Sequence, residues 1–334
     1  MTLKRYNVCF YAHGAEQKRT IKNRKEPGKM SVDILVQKIK EKNNPSVAGL
    51  DPQISYVPQY IREKAYKEYG KTLKGACEAI WEYNKGLIDA LYDVVPAVKP
   101  QSAFYEMYGL CGEELLHRTI AYAKEKGLYV ILDVKRNDIG STAEAYSKAY
   151  LGKTEIDGEL VSACDVDSVT VNPYLGTDGV APFIADCKRY DKAIFALVKT
   201  SNPSSGELQD LKTDGRHIYE CVARSVDKWN RDTIGKSGYG AVGAVVGATY
   251  PEQAAVLRKL MPRSYFLVPG YGAQGGGAEG VKPCFNDDGL GAIVNSSRGI
   301  ICAYKKGDWK EEQFAEAARA EALRMKEDLN GVIG

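Results

Sequence analysis

Short runs of apolar and β-branched residues recur along this chain at near-regular intervals, and a segment with helical spacing of its apolar positions follows each run. The runs are 47–51 (VAGLD), 94–99 (VVPAVK), 129–134 (YVILDV), 166–171 (VDSVTV), 193–198 (AIFALV), 241–246 (AVGAVV), 265–268 (YFLV) and 292–295 (AIVN). Continuous apolar stretches of this length read as strands of a parallel sheet covered on both faces. Helical spacing begins at 31–43, with Ser31 as a cap before Ile34, Leu35 and Ile39, and recurs at 61–69, 73–93, 112–126, from Thr142 onward, and at 182–188, 218–229, 251–260 and 310–329. Eight strand–helix units predict a single-domain α/β protein, a (β/α)8 TIM barrel over 31–330. A doubly wound sheet is the competing architecture, and it more often has about five or six strands. The polar residues favour the barrel. Asp51, Lys99, Asp133, Lys135, Asn172 and Asn295 all fall at or just past the C-terminal end of a strand, and in a barrel those ends meet around one mouth.

Composition narrows the class without changing that picture. The chain has 334 residues, 44% hydrophobic and 27% charged, enough to bury a large core. Its net charge of +3 is near balance, so nothing calls for nucleic acid or an anionic membrane as partner. The charge is uneven, however: residues 1–29 hold eight Lys and Arg against two Glu. Residues 1–30 are therefore read as a basic N-terminal extension outside the barrel, and a targeting peptide, a vector-derived leader and an upstream mis-start before Met30 all stay open. The eight cysteines are scattered with no Cys-x-x-Cys pair, which suits reduced thiols in a cytoplasmic protein. Only His13, His117 and His217 are available, none at metal-motif spacing, which argues against a zinc site and a His-based triad. No apolar run approaches the roughly 20 residues of a membrane-spanning helix.

The densest chemistry lies at 129–150, where the third strand runs into charge. Strand alternation puts Ile131, Asp133 and Lys135 on one side and Val130, Leu132 and Val134 on the other, so a carboxylate and an ammonium stand together at the strand's end. Gly140 and Ser141 then open a helix. A strand-end ion pair, with Asp138 merely preceding the helix, has the same pattern. After the seventh strand comes 269–277 (PGYGAQGGG), whose backbone N–H groups could converge on an anion. It formally matches G-x-G-x-x-G through Gly270, Gly272 and Gly275, yet no βαβ unit with a ribose-binding acid follows, so a dinucleotide fingerprint is rejected; a plain glycine turn is the alternative. Arg298, one strand along, offers a fork for phosphate oxygens at the same corner. The hydroxyls and amides of 199–206 (KTSNPSSG) could read the edge of a polar heterocycle, or form an ordinary turn, and Asn172-Pro173-Tyr174 carries the same ambiguity.

Taken in order, Asp51, Lys99, the Asp133-x-Lys135-x-x-Asp138 run with Ile139-Gly140-Ser141-Thr142 behind it, the TSNP loop at 200–203, the glycine loop and Ser296-Ser297-Arg298-Gly299 resemble the orotidine 5′-phosphate decarboxylase family. The likeness is to its longer, bacterial-type (type 2) branch and covers about 31–328. It implies a carboxy-lyase of pyrimidine nucleotide synthesis that converts orotidine 5′-phosphate to uridine 5′-phosphate and CO2 with no metal or organic cofactor. It further implies a cytoplasmic homodimer with shared active sites. By this resemblance Lys135 donates a proton to C6, Asp133 lies against the substrate carboxylate, and Lys99, Asp133, Lys135 and Asp138 form an alternating charge array. Asp138 and Thr142 come from the second subunit. Asp51 and Lys99 meet the ribose hydroxyls, Ser201 the pyrimidine edge, with Thr200 and Asn202 as alternatives, and Gln274 and Arg298 the phosphate; a phosphate contact for Tyr271 is left open. Two other readings stand beside it. One is a sugar-phosphate decarboxylase or epimerase of the same superfamily, which would generally use a metal; the other is a non-catalytic nucleotide-binding barrel, which would need no proton donor.

Overall fold

Each of the eight apolar runs forms a strand in the computed structural model, which describes residues 31–272 and 277–333. The expected extension over 1–30, and Gln274 of the glycine loop, lie outside the described residues. The strands are β1 (Ser46–Leu50), β2 (Ala97–Pro100), β3 (Tyr129–Arg136), β4 (Ser168–Val171), β5 (Ala193–Lys199), β6 (Gly240–Val246), β7 (Ser264–Val268) and β8 (Ala292–Ser296). All pair in parallel with their sequence neighbours, and β8 pairs with β1, so the sheet closes into a barrel.

Two of the runs start later than their hydrophobicity suggests. The amides of Val94 and Val95 bond to Leu91 O, finishing the preceding helix, so β2 begins only at Ala97. The Asp167 carboxylate accepts from the Val130 amide at 2.8 Å, a side-chain substitute for a ladder bond just before β4.

Strand alternation sorts the core into two layers. Val47, Ala97, Tyr129, Ile131, Phe195, Tyr265, Leu267 and Ile293 fill the barrel interior, and Val32, Leu35, Val36 and Ile39 of helix α1 (Ser31–Lys42) pack onto them from the N-terminal end. The Asp33 carboxylate pins α1 by accepting from Lys236 N (3.1 Å) and Ser237 N (2.7 Å). The outward residues, such as Leu50, Val98, Leu132, Val169 and Val246, meet the surrounding helices. These are α2 (Gln59–Tyr69), α3 (Leu73–Leu91), α4 (Leu110–Glu125), α5 (Gly140–Tyr150), α6 (Thr177–Tyr190), α7 (Ile218–Asn230), α8 (Pro251–Leu260) and α9 (Phe314–Ile333).

Helix α6 corrects the expected start at Pro182. The helix starts five residues earlier, at Thr177 after Gly176 at φ 73°, and the proline sits inside it. Helix α9 begins at Phe314, later than the expected 310, because Glu311–Gln313 forms a 3-10 turn first. Two small hairpins, Thr154–Ile156 with Glu159–Val161 and Lys212–Thr213 with Arg216–His217, were not expected; strands of two or three residues are too short to show alternation. Among the described residues no helix is long and apolar enough to cross a membrane. With the interior filled from below, the open end of the barrel is where the charged strand ends emerge.

Candidate active site

The centre of the mouth is the Asp133 carboxylate, delivered by the inward parity of β3. Oδ1 accepts from Lys135 Nζ at 2.7 Å and from the Thr170 hydroxyl at 2.7 Å, while Oδ2 accepts from Lys99 Nζ at 3.0 Å. Lys99 Nζ also lies 3.9 Å from Asp51 Oδ1. The charges therefore alternate Asp51, Lys99, Asp133, Lys135 across the ends of three neighbouring strands. Burial alone would raise the Asp133 pKa, but the two ammonium groups and the hydrogen bonds from Lys135 and Thr170 overcome it and hold the carboxyl far below its ordinary range. Burial likewise disfavours the Lys99 ammonium, and the Asp133 and Asp51 carboxylates reverse that and raise its pKa.

The two lysines are not equivalent. The Lys99 side chain is 5% exposed and that of Lys135 is 46% exposed, so Lys135 stands far more open to a molecule entering the mouth, although both lysines reach the cavity wall. Backbone geometry produces this difference. Between Leu132 and Arg136 four residues of β3 cover the interval that two residues of β4 cover, a bulge in which Lys135 adopts φ 45°. Bulges re-aim side chains, and a left-handed conformation in a non-glycine residue persists only where its surroundings hold it. Here the holder is Thr170, whose Oγ1 accepts from the Lys135 amide at 2.9 Å while its hydroxyl donates to Asp133. Sequence reasoning missed Thr170, although its inward position on β4 was readable from alternation.

Lys99, Asp133, Lys135 and Thr170 form one wall of a cavity of about 250 Å3; Thr200, Ser201 and Asn202 form another, and Leu197, Val245 and Leu267 lie beneath. All three candidates for reading a heterocycle thus face the cavity. A second cavity has about 610 Å3, and its lining includes Gly270, the neighbour of Pro269 in the first, with Gly272, Asn295, Arg298, Lys305 and Lys306. The glycine loop and Arg298 therefore do share one cationic corner. Close packing explains Gly49 of β1, where a Cβ would stand 1.9 Å from Ser297 Oγ. Among the described residues, Asp51 Oδ1 and Asn295 Oδ1 are buried without a hydrogen-bond donor, two acceptors at the mouth.

Some expected residues stand elsewhere. Asp138 is not in contact with the array of its own chain; its Oδ1 accepts from the Ile139 amide at 2.8 Å. Thr142 is exposed on the first turn of α5. Beside them Ile139, Tyr174 and Leu175 are exposed, and Asp138 O and Leu175 Cβ both crowd Gly179. Asn172 caps the turn Pro173–Leu175 by accepting from Tyr174 N at 3.0 Å. The Tyr271 hydroxyl donates to Asp328 of α9, so it is not a free phosphate donor; burial, then the carboxylate, push its pKa up to about 12. Lys199, read only as part of a loop, is the buried last residue of β5.

The chain matches a family model described as "Orotidine 5'-phosphate decarboxylase / HUMPS family" over residues 71–311. It is 44% identical over 301 residues to the orotidine 5′-phosphate decarboxylase of Caldicellulosiruptor bescii, covering 90% of this chain and 98% of that protein. To the enzyme of the same name from Rhodopirellula baltica it is 46% identical over 287 residues, covering 85% and 93%. Among solved structures it is similar to Leishmania donovani OMP decarboxylase, with 30% identity, a TM-score of 0.68 and coverage of 91% of this chain and 98% of that one. A putative orotidine 5′-phosphate decarboxylase from Streptomyces avermitilis gives 29% identity and a TM-score of 0.74, covering 91% and 96%.

Proposed function

The chain belongs to the orotidine 5′-phosphate decarboxylase / HUMPS family, and on that premise we propose that it converts orotidine 5′-phosphate to uridine 5′-phosphate and CO2, in pyrimidine biosynthesis, with Lys135 as the proton donor. The observation that carries the assignment of roles is the Asp133 carboxylate gripped by two ammonium groups of unequal exposure. As the C6–carboxylate bond breaks, its electron pair remains on C6. A cation fixed beside that carbon counts most when the negative charge develops, so it favours the transition state over bound substrate. The Lys135 ammonium then transfers its proton to C6 and is left as an amine, to be reprotonated from solvent. Lys99, walled in between Asp51 and Asp133, keeps its proton and holds Asp133 in place.

The remaining roles follow the order of the cavities. The pyrimidine sits in the smaller one against Ser201, the ribose hydroxyls meet Asp51 and Lys99, and the phosphate takes Arg298 and the glycine-loop amides in the larger one. Gln274, outside the described residues, is assigned to the phosphate from the sequence alone. Asp138 and Thr142 serve the neighbouring site of a homodimer. The exposed apolar residues around them support a covered face there, since a monomer seldom exposes several in one place. No metal or organic cofactor takes part, and the reaction is that of a carboxy-lyase.

The test is a spectrophotometric assay of orotidine 5′-phosphate with the protein in EDTA. Loss of substrate absorbance with stoichiometric uridine 5′-phosphate is expected. No turnover, or turnover restored only by added divalent metal, overturns the reading.

A further inference from the structure

A second buried lysine lies just behind the wall that carries Ser201. Lys199 ends β5 with its side chain 1% exposed, and its Nζ is 2.7 Å from Asp210 Oδ1 and 3.3 Å from Ser205 Oγ. The ring centroids of Tyr250 and Tyr219 lie 4.8 and 5.6 Å from it. A dehydrated ammonium needs such company, and the four partners come from three pieces of chain: Ser205 and Asp210 from the segment after β5, Tyr219 from the start of α7 and Tyr250 from the loop after β6. Lys199 does not line the cavity.

A second tie reaches the wall directly. Gln209 accepts from Thr200 N at 3.0 Å and donates to Thr200 Oγ1 at 2.8 Å, while the Thr200 hydroxyl donates to Asn202 Oδ1 at 2.6 Å. Ser205 N closes the turn on Asn202 O at 3.0 Å, and the His217 ring Nδ1 lies 2.7 Å from Asp210 O. Ser201 is thus held through both chain neighbours, with glycine behind it: a Cβ at Gly247 would lie 2.9 Å from Ser201 Cβ.

We infer that Lys199 and Gln209 are positioning residues that fix the 200–202 turn, and with it the wall that reads the pyrimidine edge, relative to the Lys135 ammonium. This rests on the decarboxylase reading. The physical warrant is that a displacement of about 1 Å at a reacting centre can cost roughly a hundredfold in rate.

The test measures binding of uridine 5′-phosphate and of ribose 5-phosphate to wild type, Gln209→Ala and Lys199→Met, with kcat on orotidine 5′-phosphate beside them. Ribose 5-phosphate lacks the ring that the turn reads. Expected is a loss of uridine 5′-phosphate affinity of about tenfold or more, with a fall in kcat and little change in ribose 5-phosphate affinity. If Lys199→Met does not fold, Gln209→Ala carries the test, since its side chain is only part-buried. Equal weakening of both ligands, or of neither, overturns the inference while leaving the decarboxylase reading intact. A wild-type protein that neither binds uridine 5′-phosphate nor turns over substrate overturns both.

Discussion

Asp133→Asn tests the electrostatics of the mouth without changing its shape. In the wild type Lys99 is 4% exposed and Asp133 7% exposed, and their contact is 3.0 Å. Removing one partner of a buried pair costs about 3–5 kcal/mol. The asparagine carbonyl keeps an ion–dipole contact and Asp51 remains 3.9 Å away, which sets the expectation at the low end, about 3 kcal/mol near neutral pH. The pH dependence makes the test sharp. The wild-type Lys99 pKa is raised above 10.5, so its stabilisation is complete below that value and lost only as pH climbs through the raised one. The Asp133 pKa is lowered below 3.8, so its stabilisation is present above 3.8 and lost in strong acid. Between those limits the pair contributes no slope. In the variant Lys99 keeps its burial but loses its main counter-charge, and its folded pKa drops below the unfolded value. The unfolded chain then binds more protons, and variant stability rises with pH by up to about 1.4 kcal/mol per unit. Urea unfolding at about pH 7 and pH 9.5 should therefore show the deficit narrowing by roughly 1–2 kcal/mol. A deficit equal at both pH values, or one below about 1 kcal/mol at pH 7, refutes the reasoning.

Three further outcomes are expected. Lys135→Ala should lower kcat by about a thousandfold while uridine 5′-phosphate binding stays measurable by calorimetry, and substantial remaining turnover would remove the proton-donor role. Lys135→Ala and Asp138→Ala proteins, each nearly inactive, should regain roughly a quarter of wild-type turnover after subunit exchange, because in a twofold dimer one site in each mixed dimer is intact; no recovery despite verified exchange counts against a shared site. Thr170→Val, close in shape, should lose about 2–3 kcal/mol in denaturant unfolding and about tenfold in kcat, since one hydroxyl serves both Lys135 N and Asp133. An unchanged kcat would show that the bulge holds Lys135 without it.

The barrel was legible because its causes are local and repeated. A strand covered on both faces must be apolar along its length, and eight such runs separated by helical spacing admit few architectures. The same regularity yielded the parity of β3, and Ile131 and Asp133 do face inward while Leu132 and Val134 face the helices. Boundaries were less readable where a side chain substitutes for a backbone partner, as Asp167 does before β4. The start expected at Pro182 was late: proline is common in a helix's first turn, but here the helix begins at Thr177 and the proline lies inside it. Within the site, the residues missed were those whose meaning lies in a three-dimensional partner. Nothing in VDSVTV says that Thr170 will meet the Lys135 amide, and nothing in ALVKT separates a buried lysine from a solvated one.

What the sequence pattern could not supply is the asymmetry on which the proposed chemistry depends. Two lysines flanking one aspartate are, as a pattern, interchangeable candidates for the donor. The bulge in β3 breaks that equivalence: by taking Lys135 off the regular ladder at φ 45°, it leaves the ammonium on Asp133 Oδ1 yet nearly half exposed, while Lys99 on regular β2 remains shut in. A proton donor must reach the reacting carbon and be recharged from solvent, whereas a fixed cation that holds Asp133 has only to keep its proton. The strain at Lys135 and the hydroxyl of Thr170 are therefore parts of one device, which turns a symmetric ion triplet into one mobile proton and one fixed charge.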